Sequence, residues 1–304
     1  MPGTPLHRAA ARLRRSFGLE GVQVRLDDIE RRLDRIQQSV HESHWPHGPL
    51  YLGDHEALVQ ARWGAKLVVD TRDRLLAPWL LMDGLWESHV TGWLHDVLGP
   101  GDVMVDVGAN IGYFTVLAAQ RVGPSGRVVA VEASPGLCDI LRRNVAMNGH
   151  RSTVTVWNRA AWSGSGRLQF HQRVHYGANS SLASAGAEHL EDLADEEAVV
   201  EVEAVGLDAI LGGLARVDVL KLDVEGAEVH ALKGLSGTVA AHPEMKLMVE
   251  WAPEQIRLMG DDPEEVVALL TGAGYGLRLM EKGLAPISAA ELLDLPYGNV
   301  VAER

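Results

Sequence analysis

The stretch from Val103 to Thr115 constrains this chain more than any other. Val103-Met104-Val105-Asp106-Val107 is a short apolar run with one acid, the pattern of a strand buried on both faces. Gly108-Ala109-Asn110-Ile111-Gly112 then turns it into a helix over 111–122. Such a unit places the turn at the C-terminal edge of a parallel sheet, where doubly wound folds bind ligands. The alternation continues with a strand at 127–132, a helix at 135–147 ending near Asn148-Gly149, and a strand at 154–157. After a Gly-, Ser- and Ala-rich insertion over 163–190, strands are predicted at 199–205, 217–223 and 245–250, with closing strands at 276–281 and 300–302. Helices are predicted near 208–213, 227–240 and 263–273. This order implies an α/β fold whose mostly parallel sheet is covered on both faces.

Upstream, the segments 57–62 and 66–70 read as a hairpin around Trp63-Gly64, followed by helices over 75–82 and 87–98 that Gly99-Pro100-Gly101 stops. Further back, Leu19, Val22, Leu26, Ile29, Leu33, Ile36 and Val40 recur at alternating spacings of 3 and 4, a heptad seam. It fits either a coiled coil that makes a homodimer or higher oligomer through residues 19–40, or a single amphipathic helix docked on its own domain. Leu6, Ala10, Leu13 and Phe17 oppose Arg8, Arg12 and Arg15, giving a basic tail or a weak peripheral contact with an anionic membrane. The expected organisation is a basic arm and heptad helix at 1–44, a hairpin-and-helix cap for substrate at 45–98, and a catalytic domain at 99–304.

Charge sharpens this division. The whole chain carries 28 − 41 = −13, while residues 1–40 carry 8 − 5 = +3, leaving −16 on the rest. An acidic body argues against a nucleic-acid partner. No run approaches the roughly 18 apolar residues of a spanning helix, and the basic N-terminus has no apolar core of a signal peptide. With a single cysteine, Cys138, on a helix, the expectation is an inert thiol in a cytoplasmic protein.

The loop Asp106 to Thr115 lacks the G-x-G-x-x-G of dinucleotide sites, having Asn110 and Tyr113 where glycines belong, and the chain has no G-K-S or G-K-T. Gly108 still lets the backbone approach a ligand closely, and Asn110 tolerates a left-handed conformation. Twenty-six residues after Asp106, Glu132 ends the next strand, placed to bind a ribose diol. A ribose without phosphates points to S-adenosylmethionine, with S-adenosylhomocysteine as product.

Asp106 to Thr115 (DVGANIGYFT), the strand end VEAS at 131–134, Gly177 to Leu182 (GANSSL) and Leu220 to Glu228 (LKLDVEGAE) together resemble the FkbM family of S-adenosylmethionine-dependent methyltransferases. The resemblance covers about residues 85–250. It implies a class I methyltransferase fold, a Rossmann-like seven-stranded sheet with a terminal antiparallel strand, and O-methylation of a hydroxyl on a glycan or specialised metabolite. Carried over, Asp106, Gly108, Asn110 and Gly112 surround the methionine part of the cofactor, flanked by Ala109, Phe114 and Thr115. Glu132, with Ala133 beside it, holds the ribose; Asn158 and Ala160 line the adenine pocket; Asp223 faces the donor methyl or the ammonium; Glu87 serves the amino-acid end.

Methyl transfer to an aliphatic hydroxyl needs in-line geometry and a base or metal for the proton. The candidates are Asp223, Glu225, Glu228 and Glu250, with His175, Ser180 and Ser181 toward the acceptor. Glu225 and Glu228 also suit a helix start, where carboxylates stabilise the dipole. His171 and His175 alone are too few ligands for zinc, and no metal site is assigned, although Asp223 and Glu250 have the chemistry to hold Mg²⁺. Trp45, Trp63, Trp79, Trp86 and Trp93 serve core packing or roof the acceptor pocket. The absence of an N-P-P-Y run after Asp223 disfavours base methylation. The rival from another class is a weakly catalytic cofactor-binding scaffold acting through the heptad helix.

Overall fold

A computed structural model describes residues 48–304 apart from Ala185; the basic arm, the heptad segment and Trp45 lie outside the described residues. Gly48–Arg304 form one compact unit. Fourteen strands are described: β1 Leu50–Gly53, β2 Glu56–Gln60, β3 Lys66–Asp70, β4 Val103–Val107, β5 Arg127–Glu132, β6 Val154–Asn158, β7 Ala160–Trp162, β8 Gly166–Arg173, β9 Glu197–Gly206, β10 Val219–Leu222, β11 Lys246–Trp251, β12 Gly276–Leu279, β13 Ala285–Pro286 and β14 Gly298–Glu303.

The main sheet has the order β6-β5-β4-β10-β11-β14-β12-β13. From β6 to β11 all pairings are parallel, whereas β14 runs antiparallel to both β11 and β12. The expected count of seven strands becomes eight because the two-residue β13 adds to the edge, Leu279 facing Ala285. Alternate residues of the central strands enter two separate cores. Met104, Val128, Ala130 and Val219 pack with the helices Tyr113–Val122 and Pro135–Met147, while Val105, Val107, Val129, Val131, Leu220 and Leu222 pack with the helices beyond β9. Burial on both faces is why these strands read as unbroken valine-rich runs.

The hairpin forms as expected between β2 and β3, and β1 extends it to three strands. Its edge is covered by asparagines of the helix Pro135–Met147 and its cap. Asn144 accepts from Val68 N and donates to Val68 O, and Asn148 treats Lys66 in the same way. Those side chains supply the ladder partners an edge strand lacks.

Two expectations are corrected. The 199–205 strand belongs to a second sheet of order β7-β9-β8, outside the main one. Its antiparallel partner β8 occupies the insertion read as strandless, with Gly166 opposite Ala204 and Arg173 opposite Glu197. The single helix expected over 227–240 is two, Glu228–Lys233 and Ser236–Ala241. Gly234 between them packs so closely that a Cβ would sit 2.0 Å from the Trp162 carbonyl. Among the described residues, no helix is long and apolar enough to cross a membrane.

Candidate active site

A cavity of about 590 Å³ opens at the C-terminal ends of β4, β5, β10 and β11. That volume suits a small-molecule site, typically roughly 300–1,000 Å³. One end is built by the turn after β4. Gly108 (φ +76°) and Asn110 (φ +51°) take left-handed conformations there, which bring the turn back against β5. A Cβ at Gly108 would lie 1.6 Å from the Asp223 carbonyl, so only glycine lets the β4 and β10 loops touch. Glu132 closes this end, with Oε2 accepting from Asn110 N at 2.7 Å and Oε1 from Ser134 N at 2.8 Å. Burial pushes the Glu132 carboxyl up to about 7 against the pull of those two N–H groups.

The other end is a concentration of acids. Asp223, Glu225 and Glu250 each bring a carboxylate oxygen within 4.8 Å of the others. Beneath them Lys221, 1% exposed, donates to Asp223 Oδ2 at 2.7 Å and stands 4.0 Å from Asp106 Oδ1. Burial opposes a charge on Lys221, but Asp223, Asp106 and Glu87 outweigh it and hold the ammonium well above its ordinary value. Glu225 is held up by burial and by Asp223 and Glu228; Glu250 is held up by burial and by Asp223 and Glu225. Glu87, pushed up to about 7 by burial and Asp223, precedes the helix Ser88–Val97 at φ +38°. Glu225 is also left-handed, at φ +54°. Three non-glycine residues in this uncommon region thus line one cavity, the kind of backbone strain that collects at working sites.

The walls include Glu87, Gly108, Ala109, Asn110, Phe114, Glu132, Ala133, Ala160, Ser180, Asp223, Glu225 and Glu250, as the sequence led one to expect. Other candidates sit behind those walls. Asp106 is fully buried, taking a hydrogen bond from Thr115 Oγ1 at 2.5 Å, so both support the loop from beneath. Gly112 is the N-cap of the helix Tyr113–Val122, where a Cβ would meet Leu141 Cδ1 at 2.4 Å. Asn158 donates to the carbonyls of Glu132 and Ala133, fixing the turn that carries them. Glu228 is fully buried and accepts from Val224 N and Gly226 N, a brace for the β10 turn and not part of the cavity. Ser181 donates to the Glu225 carbonyl at 2.7 Å, and His175 sets Nδ1 against Arg72 O; neither side chain is among the cavity walls.

Sequence reasoning missed Lys221, Gln255 and Tyr297. Tyr297, just before β14, donates to Glu250 Oε1 at 2.8 Å, and Gln255 Nε2 donates to Glu225 Oε2 at 2.5 Å. Of the tryptophans, Trp79 and Trp86 line the cavity, Trp63 donates to the Tyr113 hydroxyl, and Trp93 is buried. Cys138 is buried and its thiol is pushed up to about 11 by burial.

The sheet order and the cavity at its C-terminal edge are those of the class I methyltransferase fold. The methyltransferase FkbM domain matches residues 106–277, and the chain belongs to that family. It is 32% identical over 221 residues to the methyltransferase sdnD of Sordaria araneosa, covering 64% of this chain and 82% of that one. It is 30% identical over 199 residues to the 31-O-demethyl-FK506 methyltransferase FkbM of Streptomyces tacrolimicus, covering 59% and 74%. A SAM-dependent O-methyltransferase from Thermotoga maritima superposes with a TM-score of 0.40 at 14% identity, covering 84% of this chain and 94% of that one.

Proposed function

We propose that this chain transfers the methyl group of S-adenosylmethionine to a hydroxyl of a specialised metabolite or glycan, and that it assembles as a homo-oligomer through the heptad at 19–40. The observation that carries the reading is the continuity of one cavity from Gly108, Asn110 and Glu132 to Asp223, Glu225 and Glu250. In this reading Glu132 takes the ribose diol, Ala133 and Ala160 flank the adenine, and the glycine turn runs beside the methionine part. The cationic sulfonium suits a crevice rich in carboxylates.

The acceptor enters under Trp79 and Trp86, whose exposed or half-buried rings offer flat apolar surface to a sugar or polyketide ring. Its hydroxyl oxygen bonds to the methyl carbon as the carbon–sulfur bond breaks and the electron pair returns to sulfur. The hydroxyl proton leaves toward the carboxylate trio. Because burial and mutual repulsion raise Glu225 and Glu250, either is a stronger base than an exposed carboxylate once ionised. The relative named as a 31-O-demethyl-FK506 methyltransferase supports the choice of oxygen.

Screening hydroxylated metabolites for S-adenosylhomocysteine release, with mass spectrometry of the product, tests this directly. Glu225→Gln is expected to lower kcat by about 10²–10⁴-fold, the range of general-base effects, while S-adenosylhomocysteine affinity stays near wild type. A variant with wild-type turnover removes Glu225 from the chemistry.

A further inference from the structure

The three carboxylates at the acceptor end share a pattern that proton transfer alone does not require. Each has one oxygen held by a different protein donor: Asp223 Oδ2 by Lys221 Nζ, Glu225 Oε2 by Gln255 Nε2, and Glu250 Oε1 by the Tyr297 hydroxyl. Glu250 is 7% exposed, lines the cavity, and its Oε2 is buried with no hydrogen-bond partner among the described residues. A buried oxygen left so is costly unless a ligand takes it. The Gln255 amide oxygen, in the same wall, is also without a partner.

We propose that Asp223, Glu225 and Glu250 form a divalent-cation site of the Mg²⁺ or Mn²⁺ type, and that the cation takes the acceptor hydroxyl as a ligand. The proposal rests on the reading that this end of the cavity receives the acceptor. The donor set is all hard oxygen, the preference of such ions. Ligands of one octahedral ion at a metal–oxygen distance of about 2.1 Å stand about 3.0 Å apart when adjacent and about 4.2 Å when opposite, so oxygens within 4.8 Å of one another reach an ion by drawing inward around it. Lys221, Gln255 and Tyr297 are the outer partners that orient carboxylate ligands in metal sites. The ammonium of Lys221 is shared between Asp223 and Asp106, one cation against several carboxylates at this end.

With three protein oxygens, an ion of six-fold coordination keeps about three positions for acceptor oxygens and water. The favoured acceptor presents adjacent oxygens, as a diol does, so that both ligate the ion and one of them is methylated. Coordination lowers the hydroxyl's pKa. The proton passes to solvent, the hydroxyl oxygen bonds to the methyl carbon, and the carbon–sulfur bond breaks with its electron pair returning to sulfur.

The test uses the full chain stripped with EDTA and titrated calorimetrically with Mn²⁺ in the presence of S-adenosylhomocysteine, whose own binding is measured in the same preparation. One Mn²⁺ per chain is expected, with Glu250→Gln abolishing it and Tyr297→Phe weakening it about 10–100-fold, both leaving S-adenosylhomocysteine affinity near wild type. Should Glu250→Gln fail to fold, Glu225→Gln gives the same readout. Absence of Mn²⁺ binding in wild type, or equal binding in the variants, overturns the cation site. Loss of S-adenosylhomocysteine binding in wild type instead overturns the functional reading beneath it.

Discussion

At the residue scale, Glu132 has the clearest chemical consequence. Its carboxyl is pushed up to about 7 from an ordinary 4.5 by burial, so in the folded protein the protonated form prevails below about pH 7. Its contribution to stability is therefore full below pH 4.5 and is lost as pH rises through about 7. In the proposed binding mode a ribose diol donates to the ionised form, so cofactor binding is expected to drive the proton off. S-adenosylhomocysteine affinity is expected to weaken as pH falls below 7, and calorimetry in buffers of different ionisation enthalpy should detect proton release on binding. A pH-independent affinity contradicts a ribose on Glu132. Gly108 makes an equally local prediction. Alanine there forces the β10 loop away from its 1.6 Å Cβ approach, and Gly108→Ala is expected to lose S-adenosylhomocysteine binding and to lower Tm. Wild-type values of both would contradict the close approach.

At the element scale, the segment over 174–196 is tied down by a buried ion pair. Arg173 ends β8 and donates through Nε to Asp195 Oδ2 at 2.5 Å, with side chains 4% and 0% exposed. Burial works against the Asp195 charge, but Arg173 and the N–H groups of His175 and Glu196 overcome it and hold the carboxyl below its ordinary value. Asp73 links the same region to the helix Leu76–Met82, accepting from Leu75 N, Leu76 N and Ala77 N with one oxygen and from Gly177 N with the other. Removing one partner of a buried pair leaves an uncompensated charge, so Asp195→Ala is expected to destabilise by about 3–5 kcal/mol in urea unfolding. A loss under about 1 kcal/mol would mark the pair as exposed in solution.

The elements also explain what could be read in advance. The strands β4, β5 and β11 were legible because burial on both faces writes itself as valine and methionine runs. The strand β8 was not, since GRLQFHQR buries Phe170 and Arg173 and leaves the rest half-buried or exposed, without the clean alternation that marks a strand. Asp223 and Glu250 stood out as acids at strand ends, and Glu225 as an acid at a helix start within the LKLDVEGAE run. Tyr297 and Gln255 did not, because nothing local marks them; they matter only where the loop before β14 and the helix Pro253–Leu258 meet the β10 turn. Asp106 and Glu228 were overread: their motifs are real, but the chain uses both carboxylates to brace turns.

For the whole molecule, the charge divides between a basic stretch of +3 over residues 1–40 and a remainder of −16. The remainder holds the cavity, and part of its acidity converges there. The heptad at 19–40 lies outside the described residues, and its role in assembly is open to a simple test: deletion of residues 1–44 is expected to lower the mass measured by light scattering. An unchanged mass contradicts assembly through that segment. We infer that the turn after β4 and Glu132 form a pocket for S-adenosylmethionine that leads to the carboxylate trio. Calorimetric titration of the full chain with S-adenosylhomocysteine measures it most directly. One equivalent bound, no binding of NAD, and loss of binding in Glu132→Ala are predicted; no binding to wild type, or equal binding to Glu132→Ala, would contradict it.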